Sequence, residues 1–159
     1  MSDPLSRSLR SVTFCLIVAL SLSSCTSSSL RRAEQLSKDG EWDKAVAAYR
    51  EALKNDPFDE VLKDKFEIAK KHAAIPHYNN GRLALEERRI ADALTEFKAA
   101  LGLDPTKVEH HAGMADALRL KEANDQLHTA DKLLNLGRSE EALTAYERAV
   151  ELDPHLTQA

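Results

Sequence analysis

GEWDKAVAAYREALKNDP, residues 40–57, decides how the chain is read, because RRIADALTEFKAALGLDP at 88–105 and GRSEEALTAYERAVELDP at 137–154 align with it without a gap. In each copy an alanine (Ala45, Ala93, Ala142) is followed four residues later by an aromatic ring (Tyr49, Phe97, Tyr146). Three residues further stands a second alanine (Ala52, Ala100, Ala149), and an Asp-Pro step closes each block at Pro57, Pro105 and Pro154. Steps of four and three put the small, aromatic and small side chains on one face of an α-helix, with Leu53, Leu101 and Val150 beside them. The spacing predicts a helix in each block whose ringed face is buried against partner helices. The alanines let backbones approach and the ring fills the space between them. The helix ends at Asp because the residue before a proline is driven out of the α region.

Upstream of each block a weaker apolar pattern repeats: Ala33, Gly81 and Ala130, followed three residues on by Leu36, Ala84 and Leu133. A first helix ahead of each ringed helix is therefore expected. This arrangement resembles the tetratricopeptide repeat, whose second helix carries an alanine, an aromatic four residues on and a closing proline. The resemblance implies an all-α fold of antiparallel helical hairpins stacked as a short α-solenoid, with repeats at about 26–57, 74–105 and 123–154. Two departures stand out. The aromatic that the family places ahead of the small residue in the first helix is absent, since Ser29, His77 and Gln126 occupy that position. The period is also longer, 48 residues from Ala45 to Ala93 and 49 from Ala93 to Ala142, where the family uses about 34.

The extra residues, about 59–73 and 107–122, also read as helix. Leu62, Phe66, Ala69 and Ala73 recur at helical spacing in the first, and Val108, Ala112, Ala115 and Leu118 do so in the second. Each is expected as a separate helix or as an N-terminal extension of the next repeat's first helix. Pro76 is expected to break or kink the first. Val108 to Leu136 holds no proline and suits one long helix, unless Asn124-Asp125 caps a new one.

The N-terminus carries a different signal. Arg7 and Arg10 against Asp3 precede the apolar run Val12 to Leu22, the order of a secretory signal. Serines at Ser21 and Ser23 interrupt that run well before the ~20 apolar residues that a bilayer-spanning helix needs. Leu22-Ser23-Ser24-Cys25 resembles the bacterial lipobox. The resemblance implies removal of residues 1–24, acylation of the Cys25 thiol with palmitate-type chains, and membrane anchoring through them. Each buried methylene contributes ~0.8 kcal/mol, so two or three chains hold firmly. Residues 25–29 then form a tether, and at ~3.5 Å per residue the domain at 30–159 stays close to the membrane. Thr26 in place of the aspartate that retains lipoproteins in the inner membrane implies the outer membrane, facing the periplasm. The alternatives are an ordinary signal peptide with an incidental cysteine, or an uncleaved N-terminal anchor on an interaction domain.

Composition narrows the function classes. The 159 residues are 43% hydrophobic, 30% charged and only 5% aromatic, which fits one helix-rich globular domain rather than an all-β one. A net charge of −4, moving to −5 once Arg7, Arg10 and Asp3 leave with the signal, gives no general attraction to nucleic acid. Cys15 and Cys25 are the sole cysteines, so the domain has neither a disulfide framework nor a thiolate metal site. No nucleophile, base and orienting group converge, and the glycines form no phosphate loop, so no enzyme activity and no cofactor are expected. His110 and His111 point about 100° apart on a helix, and His72 and His77 straddle Pro76. All four read as solvated or rim side chains, and no metal site is expected.

The resemblance implies that ligands lie in a groove lined by the first helices. Leu30, Glu34, Lys38, Tyr78, Arg82, Leu85, Leu127, Asp131 and Leu134 match those places. Tyr78 and Arg82, with Glu34, Lys38 and Asp131, form the candidate partner groove; Leu30, Leu127 and Leu134 read as packing. The ordered Lys, Asn and Arg set by which some family members clamp a terminal carboxylate is not reproduced. The sequence runs five residues past Pro154, so the last helix is expected to expose apolar surface to a partner or a second copy. Together these readings describe a non-catalytic interaction scaffold at the bacterial cell envelope, assisting assembly of a membrane or secretion complex, with envelope proteins as partners. An accessory subunit of an envelope enzyme is the other class left open.

Overall fold

The computed structural model describes residues 28–158; the signal segment and lipobox, Leu22, Ser23, Ser24 and Cys25 included, lie outside them. Among the described residues six α-helices follow one another: α1 over 28–38, then α2 (Trp42–Asn55), α3 (Glu60–Glu86), α4 (Ile90–Leu103), α5 (Val108–Asn135) and α6 (Ser139–Leu152). A 3-10 turn at Pro154–Gln158 comes last. No strand occurs among the described residues, and the fold is all-α. No helix among them is long and apolar enough to cross a membrane.

The backbone repeats as the sequence does. α2, α4 and α6 are each followed by an aspartate held out of the helical region ahead of a proline, Asp56, Asp104 and Asp153, with φ of −135°, −132° and −138°. Each aspartate N–H donates to a carbonyl of the last turn, on Ala52, Ala100 and Ala149 respectively. The turns before these helices pass through the left-handed region at one equivalent position, Gly40 (φ +75°), Arg88 (φ +62°) and Gly137 (φ +75°). Glycine enters that region without a Cβ clash. Arginine does so at a cost of about 1 to 2 kcal/mol, which something else must offset.

The chain divides into two compact units at Ala73 and Ala74. In the first, Ala33 of α1 and Ala45, Val46, Tyr49 and Ala52 of α2 are buried together with Leu62, Ala69 and Ala73 of α3. The start of α3 is fixed there by three contacts. Lys65 pairs with Glu34 of α1, the Arg50 guanidinium lies 6.0 Å from the Phe66 ring centre, and Trp42 stacks on the His72 imidazole at 4.2 Å. In the second unit the core is Ala84, Ala93, Phe97 and Ala117, with Tyr78, Leu85, Leu94 and Met114 packed around it.

The extra segments are extensions. Residues 60–73 continue into the next first helix as α3, and 108–122 continue into α5. Pro76 does not break α3, and Asn124-Asp125 caps nothing because α5 runs through it. Pro76 removes one N–H, leaving the His72 carbonyl without its intrahelical donor. Burial of Ala73 and Ala74 before it and of Gly81 and Ala84 after it holds the helix on either side.

The face assigned to the second segment is wrong. Val108 and Leu118 are 75% and 52% exposed, and Ala112 and Ala115 face water with them. The side turned inward carries His110, Gly113, Met114 and Ala117. Phe97 sets that register: a Cβ on Gly113 would lie 2.5 Å from its ring, so α5 must present its one bare backbone position there. His110 and Ala117 follow at three residues before and four after.

Candidate functional site

Each ringed helix seats its aromatic differently. Tyr49 is buried, and its hydroxyl receives a long 3.4 Å hydrogen bond from Ser37. Phe97 is wholly enclosed, with Gly81 of α3 and Gly113 of α5 both close enough that a Cβ on either would fall within 3.0 Å of the ring. Tyr78 meets the Phe97 ring at 5.9 Å and the His110 ring at 5.3 Å, both tilted, within the range where aromatic pairs attract. Tyr146 is only half-buried. Its hydroxyl donates to Asp131 at 2.6 Å, and that bond holds the phenol's pKa above its ordinary value, with burial and the carboxylate's charge adding to the rise.

Among the packing residues, Ala45, Ala52, Ala93, Ala100, Ala142, Ala149 and Gly81 are buried, while Pro57, Pro105 and Pro154 stand exposed at the helix ends. Of the candidate groove residues, Glu34 and Lys38 belong to the first unit and Tyr78, Arg82 and Asp131 to the second. Several are engaged within the chain. Glu34 pairs with Lys65, Tyr78 gives its ring to the core, and Asp131 accepts from Tyr146. Arg82 is exposed, with the Glu86 carboxylate 3.5 Å away, and Lys38 is exposed on α1.

His110 is not a rim residue. It is buried, and its Nδ1 donates to the Asp104 carbonyl at 3.1 Å, joining the start of α5 to the end of α4. His111 is exposed and bonds the Pro105 carbonyl through Nε2 at 2.8 Å. His77 pairs with Glu96 of α4 at 2.7 Å. No three His, Cys, Asp or Glu side chains gather as a metal site among the described residues.

Arg88 recovers the cost of its backbone through Asp153. Their side chains form an ion pair in which the carboxylate is fully buried and the guanidinium is half exposed. Burial alone would raise the Asp153 pKa, but hydrogen bonds from the Arg88 guanidinium and the His155 N–H reverse this and leave it below the ordinary value. Beside the pair lies an open depression of about 700 Å³, lined by Leu85, Leu120 and Leu156 together with Arg119. Its cations are committed, Arg88 to Asp153 and Arg119 to the Leu152 carbonyl at the end of α6. Glu86 and His155 also line the depression.

Three family profiles, each described as a tetratricopeptide repeat, match residues 27–59, 78–126 and 130–156. The chain belongs to the tetratricopeptide-repeat family. No curated protein matches it. Tetratricopeptide-repeat domains bind protein partners through helical surfaces of this kind and are generally non-catalytic scaffolds, so protein interaction is the class of activity that the architecture serves.

Sequence reasoning missed Gly113, Lys65, His110 and Arg88. For Arg88 a signal existed: it occupies the position where the other two tetratricopeptide repeats carry Gly40 and Gly137, so a left-handed residue with a second task was legible. For Gly113 the signal was ambiguous, since a glycine inside a helical pattern reads first as a cost of about 1 kcal/mol.

Proposed function

We propose that this tetratricopeptide-repeat protein is a bacterial envelope lipoprotein that docks protein partners beside a membrane and assists assembly of a membrane or secretion complex. In this reading residues 1–24 are removed, Cys25 carries the acyl chains, and residues 25–29 tether the repeats to the outer membrane on its periplasmic side. Each unit carries its own partner-contacting residues in this reading, Glu34 and exposed Lys38 in the first and Tyr78, exposed Arg82 and Asp131 in the second. Tyrosine and arginine are enriched where interface energy concentrates. The observation that carries the scaffold role is the match of tetratricopeptide repeats along most of the chain; the lipobox sequence Leu22 to Cys25 supports the anchor. Anchoring converts partner capture into an encounter between neighbours on one surface, which raises effective concentration without any new contact.

Cys25→Ser tests the anchor. The variant is expected to accumulate as an unprocessed precursor that incorporates no labelled palmitate; a mature, detergent-phase variant would refute the lipobox. Crosslinking in intact cells tests the scaffold role. Envelope proteins captured by the wild type and lost with Arg82→Glu support the groove, and capture unchanged by that substitution removes it.

A further inference from the structure

The three repeats provide an internal standard for what should cover a ringed helix. Val46, Leu94 and Leu143 occupy one equivalent position, just after the first alanine of each triplet. Val46 is 5% exposed, Leu94 is packed against the Phe97 cluster, and Leu143 is 59% exposed. Leu85 and Leu134 are another such pair: the first packs on the Phe97 cluster and the second is exposed. In the first two repeats a long helix supplies the cover. The start of α3 does so in the first unit, through Leu62, Phe66 and Ala69, and the start of α5 does so in the second, through His110, Met114 and Ala117.

Charge says which cover the third repeat fits. Glu34, Arg82 and Asp131 are equivalent positions on the first helices. Opposite Glu34 the covering helix places Lys65. At the position of α5 that aligns with Lys65, counted from the preceding Asp-Pro, stands Gly113, so the arginine-bearing repeat is met without a lysine. The third repeat returns to an acid at Asp131 and also carries exposed Glu147 where the first has Arg50 and the second Lys98. Its aromatic is tyrosine, as in the first repeat.

We propose that the face carrying Leu134, Leu143 and Tyr146, edged by Asp131 and Glu147, docks an amphipathic helix of a partner protein. That helix has the pattern of residues 62–69: a leucine, a lysine three residues on, a large apolar residue next, and an alanine three further. The leucine and the large apolar side chain cover Leu143 and Tyr146, and the lysine pairs with Asp131 as Lys65 pairs with Glu34.

The probe is a synthetic, end-capped, fluorescently labelled peptide of residues 59–74, titrated into the full chain and followed by anisotropy. Saturable binding is expected, weakened about 10-fold or more by Leu143→Glu, because the substitution sets a charge under the apolar side of the helix. Leu143 is exposed, so helicity by circular dichroism should be unchanged. Asp131→Lys should weaken the wild-type peptide and strengthen a peptide carrying Lys65→Glu. A peptide that does not saturate, binding indifferent to Leu143→Glu, or a charge swap without reversal would overturn the proposal. So would a wild-type dimer in sedimentation that Leu143→Glu separates, since the occupant would then be a second copy.

Discussion

Phe97 and Tyr146 hold the same place in the same sequence pattern and end in different surroundings. Phe97 lies under α5, pressed between two glycines, whereas Tyr146 lies at the edge of the last repeat with its hydroxyl tied to an exposed carboxylate. The triplet of alanine, ring and alanine therefore specifies a helical face. The burial that face achieves depends on the next helix, as expected for repeats stabilised by nearest neighbours.

Truncation of the two rings should show the difference most strongly. Phe97→Ala is expected to cost about 3–5 kcal/mol, the range for emptying a closed aromatic site, and Tyr146→Ala clearly less because water already reaches its site. Urea titration of both variants checks this; equal losses would mean that the enclosure of Phe97 adds nothing. Gly113→Ala comes next. In an open helix the change would stabilise, yet here the new methyl meets the Phe97 ring, and a loss of about 1–3 kcal/mol is expected from overpacking. Phe97→Leu in the same chain should recover part of it, which thermal melts of the single and double variants would reveal.

Arg88→Gly sharpens the comparison at the repeat turns. It relieves the left-handed arginine but removes the partner of buried Asp153, and because solvent reaches the guanidinium the net loss at neutral pH should be about 1–2 kcal/mol. The pH dependence fixes the cause. In the wild type the Asp153 pKa is lowered, so its contribution is complete above the ordinary carboxylate value and is lost as pH falls through the lowered one. Without Arg88 the upward push of burial is no longer outweighed, so acid no longer removes as much. The gap between variant and wild type should therefore close as pH falls through the carboxylate range, as stability measurements at about pH 7 and about pH 4 and below can establish. Gly102→Ala is the smallest effect and has the opposite sign to Gly113→Ala. Nothing lies within 4 Å of its added Cβ, and a gain of up to about 1 kcal/mol is expected.

The ringed helices were legible because their information is local: residue spacing names the buried face and Asp-Pro names the end. α2, α4 and α6 accordingly end one residue before Asp56, Asp104 and Asp153. The inward face of α5 was not legible, because it answers to a ring on another helix. Val108, Ala112, Ala115 and Leu118 make a better apolar series than His110, Gly113 and Ala117, yet only the second series offers Phe97 a bare backbone. Pro76 does not end α3, since the loss of one hydrogen bond weighs less than the alanine and glycine packing on both sides. For the candidate groove residues the sequence did not show that Glu34, Tyr78 and Asp131 have partners inside the chain, because those partners stand on other helices or further along the fold.

The Arg88–Asp153 pair also constrains how this protein can change. Replacing the aspartate leaves an arginine in an unfavourable backbone conformation with no return for it, and replacing the arginine strands a carboxylate in the interior. Each single step lowers stability, so the two positions are expected to change together, most simply with glycine at position 88 as at Gly40 and Gly137.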